Sequence, residues 1–405
     1  MPTIQWVNEP QPLRLDDYVQ AKATLIQRVM GLEGVLAVYE HRKKGDAYDL
    51  GISDIDPAVV TEERLPEKTC QVLRALSKDP EIVKLLRAAV SAIPLSVFQD
   101  PTRQALSHLC LLAGSTQQVQ TFSEAEGTMT RVFAAAEQAG RATISLMQRL
   151  HDRRWNVLGT LGNLKGVMHN ALNALGPIEG WPEEFQDWWM RVSRLRHHWF
   201  SLGHERYEEL VGLTQLGYLL SMRTCWKLDA IFKAEGLVGS GNTRFVLCPT
   251  PHRDLLCFID SEAEQDRILS RLAARCQGWN VVCLPKTFYA QAIEMTAYAS
   301  GSFRDLLVQC LGTDKPHPST QLSELSKSVL GRRVRVQQAY LEFLESHRFP
   351  RIGCEGTWWL RLGRAAGSTK KSSHWLVNSF KGLGLQIQTA QVVLRAKATL
   401  FANAS

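Results

Sequence analysis

The stretch VLAVYEHRKKGDAYDLGISDIDPAVV, residues 35–60, restricts the possible folds of this chain more tightly than any other segment. It opens with VLAVYE (35–40), an apolar, β-rich run of strand length. A polar, glycine-containing stretch follows, HRKKGDAYDLG (41–51). ISDIDPAVVT (52–61) then alternates and ends in a β-branched run, again with strand character. Side chains at i and i+2 of a strand share a face. Asp54 and Asp56 are therefore expected to point the same way, with Ile55 pointing into the core. Two neighbouring carboxylates repel each other unless a cation lies between them. Magnesium suits that place, because it is a hard ion usually shared between one or two carboxylates and substrate phosphates. Phosphoryl and nucleotidyl transfer use such an arrangement to neutralise developing charge and to align the attacking and leaving oxygens. Arg42, Lys43 and Lys44 lie just before the pair and can contact a triphosphate tail, and Gly45 and Gly51 let the loop turn tightly.

This stretch resembles the nucleotidyltransferase superfamily that includes the aminoglycoside nucleotidyltransferases and DNA polymerase β. Arg42-Lys43-Lys44-Gly45-Asp46 matches the family's basic loop, and Ser53-Asp54-Ile55-Asp56 matches its carboxylate motif. The likeness covers roughly the first 120 residues. It implies an α/β nucleotidyltransferase-like domain with Asp54 and Asp56 as metal ligands and catalytic residues, and with Mg²⁺ and an NTP as cofactor and substrate. His41, Arg42, Lys43, Lys44 and Ser53 are then the implied nucleotide-binding residues. The family adds a third carboxylate from a later strand, and Asp100, at the end of IPLSVFQD, is the positional candidate for that ligand and for the general base. Where the family carries Gly-Ser to hold the terminal phosphates, this chain has Glu40-His41. A carboxylate there would repel a triphosphate, and His41 or Lys43 would have to replace the lost contact.

Each of these residues also has an ordinary structural reading. Asp54 can cap a strand or turn, and Asp56 before Pro57 can sit in a turn. Proline inside a strand suits an edge or a bulge. Asp100-Pro101 is a common way to open a helix, and Arg42, Lys43 and Lys44 can be a solvated loop.

The rest of the chain supplies organisation more than chemistry. Residues 16–31 read as a helix capped by Asp16 or Asp17, with an apolar stripe through Val19, Ala23, Leu25, Ile26 and Val29. Residues 62–91 read as helical, IPLSVF (93–98) as a strand, and 101–114 as a helix ending at Gly114. The pattern from about 122 to 236 is nearly all helical, broken by Gly-Pro and Trp-Pro at 176–182. LVGSGNTR (237–244) is the clearest linker. RFVLC, LLCFID and NVVCLP beyond it read as strands, with a helix at 261–277, a basic loop at 363–375 and a last helix near 386–400. The expected domains are thus 1–121, nucleotidyltransferase-like; 122–236, helical; and 245–405, a smaller α+β and helical region. The aromatic and basic run at 188–200 can line a ligand pocket or, as such helices usually do, supply an apolar core face. His197, His198 and His204 lack a clean metal spacing, no orienting partner is evident for Cys248 and His252, and GSTKK (367–371) lacks the spacing of a phosphate loop.

Composition bounds the partners. A chain of 405 residues with 45% apolar and 21% charged residues is that of an ordinary globular protein. No run of about 18 apolar residues suggests a membrane span, and the first residues do not read as a signal peptide. The nine cysteines form no CxxC pair, which fits a reducing compartment and an expected cytoplasmic location. A net charge of +7 is compatible with anionic ligands but too diffuse to argue for nucleic acid. The expected reaction is therefore Mg²⁺-dependent transfer of a nucleoside monophosphate from an NTP to a hydroxyl-type acceptor, a small molecule. The rival readings are a degenerate nucleotidyltransferase fold used for binding or assembly, and an RNA-directed transferase. The latter needs Arg332, Arg333, Arg335, Lys370 and Lys371 to form one basic face.

Overall fold

The computed structural model describes residues 4–41, 47–76, 79, 82, 85, 90–101, 109–151, 154–236, 244–248, 254–259, 261–264, 280–285 and 323–349. It is a mixed α/β structure with small sheets and a mostly helical middle. The chain divides into two compact units, Met1–Ile231 with Leu322–Gly363, and Phe232–Gln321 with Arg364–Ser405. Segments 1–121 and 122–231 thus share one unit, and the helix near 330 returns to it instead of staying with the region that precedes it in sequence.

The first unit is organised around a four-stranded sheet. Its strands are β2 (Val35–His41), β3 (Pro57–Thr61), β4 (Ser91–Pro94) and β5 (Leu109–Gly114), in spatial order β4-β3-β2-β5. β2 runs antiparallel to both β3 and β5, while β3 and β4 are parallel. Every residue of β3 is buried, as expected of a central strand covered on both faces. Pro57 fits this central strand because it is the first residue, where its missing N–H costs no interior ladder bond. The ladder therefore begins at Pro57, and the preceding residues 53–56 lie outside it.

Helix α1 (Leu15–Val29) covers one face of the sheet, with Asp17 reaching back to accept from the Arg14 N–H at 2.7 Å. Its buried stripe is Tyr18, Ala21, Thr24, Leu25 and Val29. Val19 is 56% exposed, so the inner face is rotated from the stripe expected through Val19 and Ala23. Helix α2 (Glu67–Leu76) occupies part of the expected 62–91 segment. IPLSVF divides: β4 ends at Pro94 and a short helix α3 (Leu95–Gln99) follows, burying Val97 and Phe98. LCLLAG, expected to be helical, is strand β5, because the open edge of β2 takes it as a partner. Tertiary pairing overrides local propensity there.

The helical part of the same unit consists of α4 (Glu124–His151), α5 (Val157–Leu175), α6 (Glu183–His197) and α7 (Glu205–Ala234) as far as Ile231. A short β6 (Arg154–Asn156) between α4 and α5 pairs in parallel with β1 (Gln5–Val7), stacking Trp6 edge-on to Trp155. Asn156 caps α5 by accepting from the Gly159 N–H at 2.9 Å. The aromatic run at 188–200 is chiefly core. Trp188 and Trp199 are fully enclosed, and the Trp188 indole donates to Leu213 O at 2.8 Å. Helix α8 (Glu324–Ser346) adds Tyr340, Phe343 and Leu344 to the core under the sheet.

In the second unit β7 (Arg244–Cys248), β8 (Asp254–Ile259) and β9 (Asn280–Pro285) form a three-stranded sheet, β7-β8 antiparallel and β8-β9 parallel. These are the three strands read in the sequence. Most of the expected helix at 261–277, the 363–375 loop, the helix near 386–400 and the linker up to residue 243 lie outside the described residues.

Two glycines separate backbone strain from steric exclusion. Gly51 and Gly176 have φ of +77° and +83°, and Gly176, with ψ of −162°, lies in a region essentially reserved for glycine that costs an L-residue on the order of 1–3 kcal/mol. A Cβ at Gly176 would meet nothing within 4 Å, whereas one at Gly51 would lie 2.0 Å from Gln11 O and 2.9 Å from the Phe200 ring. In urea denaturation Gly176→Ala is expected to lose about that backbone cost, and Gly51→Ala distinctly more. Equal losses would show that the 49–53 turn yields freely.

Candidate functional site

The candidate site is built on the turn that leads into β3. The N–H groups of Ile52 and Ser53 donate to Asp49 O at 2.9 and 2.8 Å, and the Asp49 N–H donates to Ser53 Oγ at 3.1 Å. From α1, the Tyr18 hydroxyl donates to Ser53 O at 2.8 Å and accepts from the Gly51 N–H at 3.0 Å. Ser53 is thus engaged through its backbone and its hydroxyl oxygen in shaping this turn.

Ile52 and Ile55 then bury in different places. Ile52 belongs to the core formed by Leu161, Leu164, Trp188 and Trp199 of the helical part. Ile55 belongs to the core under the sheet, with Ala58, Val60 and Leu85, and its N–H donates to Leu85 O at 2.9 Å. Asp54 and Asp56, on either side of Ile55, are both exposed. The out-in-out alternation expected from the sequence is therefore present, although residues 53–56 precede the strand. Asp54 makes no hydrogen bond or ion pair with a described residue. Asp56 O accepts from the His41 N–H at 3.0 Å, which ties the end of β2 to the carboxylate run.

Glu40 does not face this surface. It is 3% exposed, accepts from the Tyr48 hydroxyl at 2.5 Å and lies 3.6 Å from Lys22 Nζ. Tyr48 stacks on Tyr18 at 4.2 Å, and Lys22 lies over the Tyr48 ring at 5.2 Å. The carboxylate instead turns toward α1 and has its own partners there. His41 is half-buried at the end of β2. Arg42, Lys43 and Lys44 lie outside the described residues.

Asp100 is placed differently from the expectation. β3 and β4 are parallel, with Thr61 opposite Pro94. Asp54 and Asp56 sit where β3 begins, whereas Asp100 follows α3 beyond the end of β4. Its carboxylate accepts from Arg332 Nε of α8 at 2.7 Å. Among the described residues no group of three or more His, Cys, Asp and Glu side chains is placed to hold a metal ion. Asp54, Asp56 and Asp100 are therefore not brought together as a three-carboxylate centre, and Asp100 acts instead in docking α8.

The residue that local sequence reading did not single out is Arg196, at the end of α6. It is 6% exposed. Its Nε and Nη2 lie 2.9 and 2.7 Å from Asp49 Oδ2, and its Nη1 donates to Leu161 O at 2.7 Å. His197 Nδ1 is 3.9 Å from the other Asp49 oxygen. A buried arginine on the inner face of an aromatic helix signals such a pair, but its partner is 147 residues away, and no spacing rule supplies it. Elsewhere in the helical part, burial pushes the Cys225 thiol up to about 12, with Asp229 adding to the shift and a Thr143 hydrogen bond opposing it. Cys225 is accordingly an inert core residue near neutral pH.

No family model, curated protein or solved structure matches this chain. Among the described residues no helix is long and apolar enough to cross a membrane.

The Glu40–Tyr48 pair can be tested by itself. Tyr48→Phe leaves a buried carboxylate without its donor and is expected to lower stability by about 1–3 kcal/mol. In a Glu40→Gln background the same change should cost less, because a neutral acceptor is cheaper to strand. An equal cost in both backgrounds, read by urea denaturation, would mean that the hydroxyl does not support the charge.

Proposed function

We propose that the chain is a Mg²⁺-dependent nucleotidyltransferase that moves a nucleoside monophosphate from an NTP to a hydroxyl-type acceptor, a small molecule, and releases pyrophosphate. The observation that carries this reading is the exposed pair Asp54 and Asp56 around the buried Ile55. Two exposed carboxylates suit Mg²⁺, which takes one or two protein carboxylates and completes its shell with phosphate oxygens and water. The ion would supply charge neutralisation on the transferring phosphoryl group. Asp54 and Asp56 hold it, and His41, beside the pair through its bond to Asp56 O, is the described residue nearest in the chain to the Arg42–Lys44 loop that meets the triphosphate. Asp100 has no part in this version of the site, since its carboxylate is bound by Arg332. The acceptor hydroxyl is left without an assigned protein base.

A specific observation favours a second reading, a nucleotidyltransferase-like fold used for binding or assembly: the absence of a three-ligand cluster among the described residues. The RNA-directed alternative is weakened at one position. Arg332 is engaged with Asp100 and with Gln120 Oε1 at 2.5 Å, and so is not available to a basic face. Lys370 and Lys371 lie outside the described residues.

Calorimetry with each of the four NTPs in the presence and absence of Mg²⁺ separates enzyme from binding protein. Mg²⁺-dependent binding is expected for one or more of them, lost in the Asp54→Asn, Asp56→Asn double variant. Pyrophosphate release with hydroxyl acceptors should fall at least ten-fold in His41→Ala without a change of fold. Unchanged nucleotide binding by the double variant would remove the metal reading. Binding without pyrophosphate release from any NTP and acceptor would favour the binding protein.

A further inference from the structure

The carboxylate run is short, exposed and outside the β ladder, yet its direction has to be fixed if it is to hold a cation. Its hydrogen bonds inside the turn start from Asp49: the carbonyl accepts from both Ile52 and Ser53, and the N–H donates to Ser53 Oγ. The side chain of Asp49 points the other way, to Arg196. Arg196 in turn is held by Leu161 O of α5, inside the helical core that also encloses Ile52. Two independent contacts, one ionic and one apolar, therefore tie residues 49–52 to the helical part. Three residues later the chain is committed to the sheet, through Ile55 and the Asp56–His41 bond.

We infer that Arg196 is the positioning residue of the Asp54/Asp56 cation site: its part-buried pairing with Asp49 sets where the two carboxylates stand when they meet the metal and triphosphate. This rests on the metal reading proposed above. Arg196 touches neither metal nor phosphate, and it acts through Asp49 and the 49–53 turn. The helical part is accordingly a component of the site and not merely an appended support. The planar guanidinium matters here, since it serves Asp49 with two N–H groups and Leu161 O with a third. A lysine can keep the charge but cannot make all three contacts.

The test uses the full chain and a probe that needs no knowledge of the base, Mn²⁺ with inorganic tripolyphosphate, followed by water-proton relaxation. Wild type is expected to bind the complex and Asp54→Asn to lose it. Arg196→Met is expected to bind at least ten-fold more weakly, and Arg196→Lys to recover part of the loss. Ser221→Ala, which removes the buried 2.6 Å hydroxyl contact with Thr143 elsewhere in the helical part, supplies a destabilised control that should bind as wild type does. Asp49→Asn repeats the measurement from the other side of the pair should Arg196→Met fail to fold, and should also weaken binding at least ten-fold. Wild-type affinity in Asp49→Asn or Arg196→Met, with Asp54→Asn inactive, overturns the positioning role and leaves the metal reading standing. Losses in Ser221→Ala and Arg196→Met that simply follow their fall in Tm overturn it as well. No binding by wild type removes the metal reading itself, and the positioning role with it.

Discussion

Ile52 and Ile55 are three residues apart and are buried in different hydrophobic cores. Everything distinctive about the site depends on that division. A buried isoleucine is worth about 1.5–3 kcal/mol relative to an exposed one, so each end of the short segment is firmly held. The residues around Ile55 cannot follow it inward, and Asp54 and Asp56 stay at the surface. The turn before them is closed by Tyr18 and Asp49, and Asp49 is held by Arg196. Breaking the Arg196–Asp49 pair by removing one partner would leave a charge in a largely dry setting, which is costly in a way that removing an exposed pair is not.

The same logic accounts for Glu40. A carboxylate on a strand with both faces covered needs partners or it shifts the strand. Tyr48 and Lys22 provide them from the loop after β2 and from α1. The residue that looked like an obstacle to phosphate is thereby part of the scaffold, and it fixes the loop that carries Tyr48 and Asp49. α8 is fastened to the other side of the fold by Arg332–Asp100, by the Leu65 N–H donating to His347 Nε2 at 3.1 Å, and by Arg74 donating to His347 O at 3.2 Å.

What could be read in the sequence was local. The strands within 35–41 and 57–61, the inward turn of Ile55 and the helical character of 122–236 all follow from periods of two and near four, and they are present in the structure. What could not be read was set by partners far along the chain. LCLLAG is a strand because β2 offers an open edge, IPLSVF splits because Pro94 ends β4 and α3 turns away, and Asp100 is claimed by an arginine 232 residues later. The Arg196–Asp49 pair is of the same kind. A charged residue on an apolar helix face announces that a partner exists, but only the fold says which one.

On the proposed mechanism, Asp54 and Asp56 together form a divalent-cation site at the start of β3. Anomalous scattering from a crystal of the full chain grown with Mn²⁺ and an NTP analogue tests it most directly. A manganese peak is expected within metal–oxygen bonding distance of a carboxylate oxygen from each residue. A peak bound elsewhere, or none at Asp54 and Asp56 with the nucleotide analogue in place, would contradict it.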